Sequence, residues 1–152
     1  MIRAIAVVRR PAIRPEATAD VLTLDHEGRQ RRRVALTCDG GLRMLLDLEK
    51  PARLDDGDAL ALEDGRLVLV KAAAEPLYEI TAATPLRLAR LAWHIGNRHA
   101  AADIDEESIL IERDPVLAEM ARGLGATVRE VVRPFRPERG AYAHAHGHGR
   151  DG

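Results

Sequence analysis

The sequence predicts an α+β protein: a small all-β domain, then a ferredoxin-like βαββαβ domain, then a flexible histidine-containing tail. Three observations predict it. Up to residue 72, short apolar runs recur about every ten residues between glycine-bearing turns. Beyond Ala72-Ala73-Ala74, read as a hinge, two segments take on the i, i+3, i+4, i+7 spacing of amphipathic helices, each set between strand-like runs. After Phe135 the apolar periodicity stops. At 152 residues the chain has room for two small domains, each near the size at which a core first suffices. The expected division is 1–74, 75–135 and 136–152.

In the first domain the expected strands are 2–8, 21–24, 32–37, 42–48, 59–62 and 67–70. Gly28, Asp39-Gly40-Gly41, Asp56-Gly57 and Asp64-Gly65 punctuate them, because glycine supplies the positive φ that tight turns need. In the second domain 77–82 reads as a strand. Thr84-Pro85 then gives an N-cap followed by proline at the first helical position. Leu88, Leu91, Ala92 and Ile95 form the apolar stripe, with Leu86, Ala89 and Trp93 widening the buried face, and the helix is expected to reach about His99. Strands at 101–104 and 108–112 follow, joined across the solvated acidic turn Asp105-Glu106-Glu107. Asp114-Pro115 repeats the cap signal, Leu117, Met120, Ala121 and Leu124 repeat the spacing, and Gly125 supplies a left-handed stop before a strand at 127–132.

Composition excludes several functions. Lys and Arg number 23 against 24 Asp and Glu, a formal charge of −1, and aromatic residues make up only 3%, so neither the field nor the stacking platforms of a general nucleic-acid binder are present. Arg29, Arg31, Arg32 and Arg33 form the one candidate RNA-binding patch, to be weighed against a solvated strand edge or a protein docking surface. No run approaches the eighteen or so apolar residues of a membrane span, and the apolar stretch at 2–8 is too short for a secretory signal. Cys38 is the single cysteine, which rules out an intrachain disulfide and a thiolate metal cage, and fits a cytoplasmic protein.

Metal chemistry therefore rests on histidine. His144, His146 and His148 alternate with Ala145 and Gly147, small residues that let several imidazoles turn toward one Ni(II), Cu(II) or Zn(II) ion. In HIGNRH, His99 lies four residues after Ile95, on the expected apolar stripe. His94 is about 140° away on the helix wheel, so the two cannot chelate one ion from a regular helix. His99 alone reads as a packed or capping residue unless a two-fold axis brings its copy from a partner. His26, between Asp25 and Glu27, reads as an exposed turn residue. The alternative of a metal-dependent hydrolase meets the objection that most candidate ligands lie on a tail, where a hydrolytic centre needs a rigid shell.

HIGNRH at 94–99, LGA at 124–126, PFRPERGAY at 134–142, the histidine tail and LDDGDALALEDGRLVLV at 54–70 together resemble the UreE family of urease accessory proteins. The resemblance covers almost the whole chain. It implies no enzyme but a homodimeric nickel metallochaperone that helps load the urease metallocentre, with Zn(II) or Cu(II) as stand-ins in vitro. It implies a peptide-binding-like N-terminal domain and a metal-binding second domain. It makes His99 the central ligand, paired with its copy across the dimer, with His144, His146 and His148 adding ligands or gathering ions. It also implies nickel exchange with the GTPase UreG within the urease apoprotein maturation complex. Where some relatives carry histidines at the start of the second helix, this chain has Arg113-Asp114-Pro115, which puts accessory metal sites there in doubt.

Overall fold

The computed structural model describes residues 1–10 and 18–140, and the chain divides into two units, at Ala73 and Ala74. Each unit has its own sheet and its own core.

The first unit is a six-stranded sheet. Its strands are β1 (Ile2–Val8), β2 (Asp20–Leu24), β3 (Arg33–Thr37), β4 (Arg43–Asp47), β5 (Ala59–Leu62) and β6 (Leu67–Ala72), in the spatial order β2-β6-β5-β1-β4-β3. β1 runs parallel to β4 and β2 parallel to β6, while the other neighbours are antiparallel. The sheet curls until its edges meet at one end. There the Asp39 N–H donates to the Val21 carbonyl at 2.7 Å, and the Asp20 carboxylate accepts from Gly40 N–H at 2.7 Å and Leu42 N–H at 3.1 Å. Burial pushes the Asp20 carboxyl upward, but the N–H groups of Val21, Leu42 and Gly40 outweigh it and hold the group below the usual range. Alternate residues fill the inside of the curl: Met44, Leu46 and Leu48, Leu60 and Leu62, Val68 and Val70. Each buried leucine contributes about 1.5–3 kcal/mol, so this unit is held by its pleat pattern.

The second unit contains β7 (Ala74–Thr81), α1 (Pro85–Asn97), β8 (Asp103–Ile104), β9 (Ile109–Glu112), α2 (Pro115–Gly123) and β10 (Thr127–Pro134). Its antiparallel order, β10-β7-β9-β8, is the ferredoxin-like sheet the sequence predicts. Both helix starts follow their cap signals. The Thr84 hydroxyl accepts from Arg87 N–H at 3.2 Å, and one Asp114 oxygen accepts from Val116 and Leu117 at 2.9 and 3.2 Å. Leu88, Leu91, Ile95, Leu117 and Ala121 pack on Ile80, Ile109 and Ile111.

Three expectations are corrected here. The division falls within the triple alanine, but the link is shorter than read: only Ala73 separates β6 from β7, because Ala74, Glu75 and Pro76 already pair with Pro134, Arg133 and Val132 of β10. Leu86, Ala89 and Trp93 do not widen the buried face of α1. Leu86 is 59% and Trp93 65% exposed, because the sheet admits only the narrower stripe of Leu88, Leu91 and Ile95. Residues 136–140, expected to open the tail, instead form a strap over the second face of the sheet. Phe135 is fully buried against Leu77 and Leu110, Pro137 is buried, Arg136 N–H donates to Asp103 at 3.0 Å, and Glu138 N–H donates to the Ala102 carbonyl at 2.8 Å.

Candidate metal centre

The site begins with how α1 ends. Arg98 caps the helix, His99 N–H donates back to the Gly96 carbonyl at 2.9 Å, and Ala100 N–H reaches the Ile95 carbonyl at 3.3 Å. This pair of bonds is a Schellman turn, which requires a left-handed residue at the position His99 occupies. Its φ of +59° is the only positive value at a non-glycine among the described residues. The sequence expectation that His99 continues the apolar stripe is thus corrected. The helix stops at Asn97, the chain reverses, and the imidazole is exposed instead of packed.

His99 lines an open groove of ≈ 450 Å³ with Arg98, Glu112, Asp114, Val116 and Leu117 among its neighbours. Among the described residues it is the only nitrogen donor there of the kind that transition metals favour. Asp114 is engaged in capping α2. Arg113, whose charge was expected to oppose a cation nearby, directs its guanidinium to the carbonyls of Leu77 at 3.2 Å and Val131 at 3.1 Å and is not part of the groove lining.

His94 faces a different groove, and its ring meets Trp93 edge-on at 5.0 Å between centroids. The two histidines of HIGNRH are therefore not brought together. His26 is buried, contrary to its reading as an exposed turn residue, and its carbonyl accepts from Gln30 at 3.2 Å. Cys38 is buried as well, and burial beside Asp20 and Asp39 pushes its thiol up to about 11, so it offers no thiolate. His144, His146 and His148 lie outside the described residues. Among the described residues no three of His, Cys, Asp and Glu gather into a metal-holding group.

The arginine patch also dissolves. Arg29 is 1% exposed, its Nε donating to the Leu24 carbonyl at 3.2 Å, so it cannot share a surface with Arg31, Arg32 and Arg33. The acidic run at 105–107 is the hairpin turn expected, closed by Asp105 N–H to the Ser108 carbonyl at 2.9 Å.

Comparison with known proteins decides the family. The description "UreE urease accessory protein, N-terminal domain" matches residues 2–73, and "UreE urease accessory protein, C-terminal domain" matches residues 75–152. A urease accessory protein UreE of Azorhizobium caulinodans is 64% identical over 152 aligned positions, covering 99% of this chain and 73% of that protein. The chain belongs to the UreE family of urease accessory proteins.

Other UreE relatives agree. One from Bradyrhizobium sp. is 56% identical over 87% of this chain and 64% of its own length, and one from Rhizobium meliloti is 56% identical over 84% and 82%. The chain thus spans between 64% and 82% of these relatives. The two family domains meet where the two structural units divide. UreE proteins are accessory proteins, not enzymes, which sets aside the hydrolase alternative. No described helix is long and apolar enough to cross a membrane.

Two features of the candidate site escape sequence reasoning. The left-handed His99 could have been suspected from a helix pattern that ends on Asn-Arg-His with no glycine stop. The strap carries a weaker signal, Phe135 and Pro137 as apolar residues in an otherwise polar run.

Proposed function

We propose that the protein is a nickel metallochaperone of urease maturation, acting in the cytoplasm as a homodimer. Ni(II), as cargo, is held by the His99 imidazoles of two copies, and His144, His146 and His148 complete and release its shell. Zn(II) and Cu(II) take the same nitrogen ligands in vitro. The ion passes to the GTPase UreG in the urease apoprotein maturation complex.

The observation that carries this reading is the exposed, left-handed His99 with no second imidazole in its groove among the described residues. One imidazole cannot hold nickel, so further ligands must come from a symmetry copy or from residues past 140. The strap supports the second source. It fixes residue 138 against Ala102, three positions from His99, and the six residues from Glu138 to His144 can span up to about 20 Å. Exposed Val116 in the same groove offers apolar surface for a second copy.

Calorimetric titration of the full chain with Ni(II), with light scattering to establish oligomeric state, tests the reading. His99→Ala should weaken binding at least about tenfold, and removing residues 143–152 should lower the ions bound per dimer without dissociating it. Unchanged affinity in His99→Ala would remove His99 from the site. Binding should also weaken on acidification, since a protonated imidazole has no lone pair to give.

A further inference from the structure

Helix α1 has an unbalanced outer face. Its thirteen residues, PLRLARLAWHIGN, contain two arginines and a histidine and no carboxylate. At about 100° per residue, Arg87, Arg90 and His94 fall within about 60° of arc, and Arg98 at the cap continues the line. Several arginines elsewhere are paired: Arg3 with Asp47 and Glu63, Arg66 with Asp64, Arg122 with Glu119, Arg129 and Arg133 with Glu79. Arg87, Arg90 and Arg98 make no ion pair among the described residues.

Arg87, Arg90 and His94 also line a groove of ≈ 440 Å³ between α1 and the end of α2, with Leu91 and Leu124 as its apolar part. Leu124 is 43% exposed there, and Gly125 lies under Arg87, whose Nη1 would be 3.4 Å from a Cβ added at that glycine. A side chain at 125 would narrow the groove.

We propose that this face of α1 docks an acidic segment of a partner protein, its carboxylates spread along Arg87, Arg90 and His94 and one apolar side chain set against Leu124. The spacing argues against a single phosphate ion, because Arg87 to His94 spans seven residues, about 10 Å of helix axis. A charge of −1 and 3% aromatic residues argue against nucleic acid. A second copy presenting its own α1 would set arginine against arginine. Since the arginines are exposed, they speed encounter and make binding salt-sensitive, while the apolar contact anchors it.

Trp93 is the only tryptophan and lies exposed beside the stripe, so its emission reports occupancy. The probe is a synthetic dodecapeptide of glutamates with two central leucines, titrated without nickel, so that the result is independent of the metal reading. Saturable change in Trp93 emission, weakening with added salt, is expected. Arg87→Glu with Arg90→Glu should weaken it at least about tenfold, and Arg90→Gln alone should weaken it less, with thermal unfolding unchanged in both. Equal binding by the charge-reversed variant overturns the proposal. So does equal binding of a peptide with glutamine for glutamate, or tighter binding of oligothymidylate or inorganic phosphate.

Discussion

Helices α1 and α2 close with the same turn and opposite residues. In α2 the Gly125 N–H donates to the Arg122 carbonyl at 2.9 Å and Ala126 N–H to the Ala121 carbonyl at 3.0 Å, the bonds that His99 and Ala100 make to Gly96 and Ile95 in α1. The left-handed position holds glycine in one, at φ +87°, and histidine in the other, at φ +59°. The turn imposes that conformation on whatever residue stands there, and for a residue with a Cβ it costs about 1 kcal/mol or more. Folding alone would place glycine at both ends. The imidazole at 99 is tolerated by the backbone and not required by it, which fits a side chain kept for what it binds.

That contrast can be broken at several points. The largest effect is expected in His99→Gly, which should lose at least about tenfold in Ni(II) affinity by calorimetry while gaining about 1 kcal/mol in urea unfolding. Loss of stability in this variant would contradict the strain argument, and retained affinity would contradict the functional one. Next comes Gly125→Ala, which puts a Cβ at φ +87° and 3.4 Å from Arg87 Nη1; a cost of about 1–2 kcal/mol is expected in the same assay. A neutral result would mean that the turn relaxes, and the comparison with His99 would collapse. The helix starts sharpen it further: Asp114→Ala, losing an oxygen that serves two N–H groups, should cost about 1 kcal/mol, and Thr84→Ala, losing one bond, about half as much.

The smallest effect concerns acid. Arg133, and then Arg129, hold the Glu79 carboxyl below its ordinary value against the opposing effect of burial. Because the folded value is depressed, this stabilisation is present above the unfolded carboxylate range, near about 4.3, and is lost as pH falls through the lowered value. Urea unfolding followed as pH is lowered should show a flatter decline in Glu79→Gln; an unchanged slope would mean the pairing adds nothing.

What could be read in the sequence was what local chemistry decides. Thr84-Pro85 and Asp114-Pro115 mark helix starts because a capping oxygen and a proline at the first helical position need no distant partner. Gly125 marks a stop for the same reason, and the alternation of Met44, Leu46 and Leu48 gives the inner face of a strand. Where tertiary context decides, the letters mislead. Leu86 and Trp93 satisfy the apolar period of α1, yet the sheet beneath has room only for Leu88, Leu91 and Ile95. Arg29 belongs to a run of arginines but turns inward to the carbonyl of Leu24. The candidate site divides in the same way. His99 could be singled out from HIGNRH, but its left-handed conformation follows from the reversal of the chain after Asn97, which no spacing of residues encodes.

The strap also decides where the second unit can be cut. Ending the chain at 134 would keep every strand and both helices, yet strip Phe135 and Pro137 away and leave Leu77 and Leu110 open to water and to other molecules. Ending it at 140 would keep that floor covered. For dissecting the chain into fragments, the boundary is therefore set by a buried phenylalanine and proline in a segment without regular secondary structure, and the last strand is a misleading ruler.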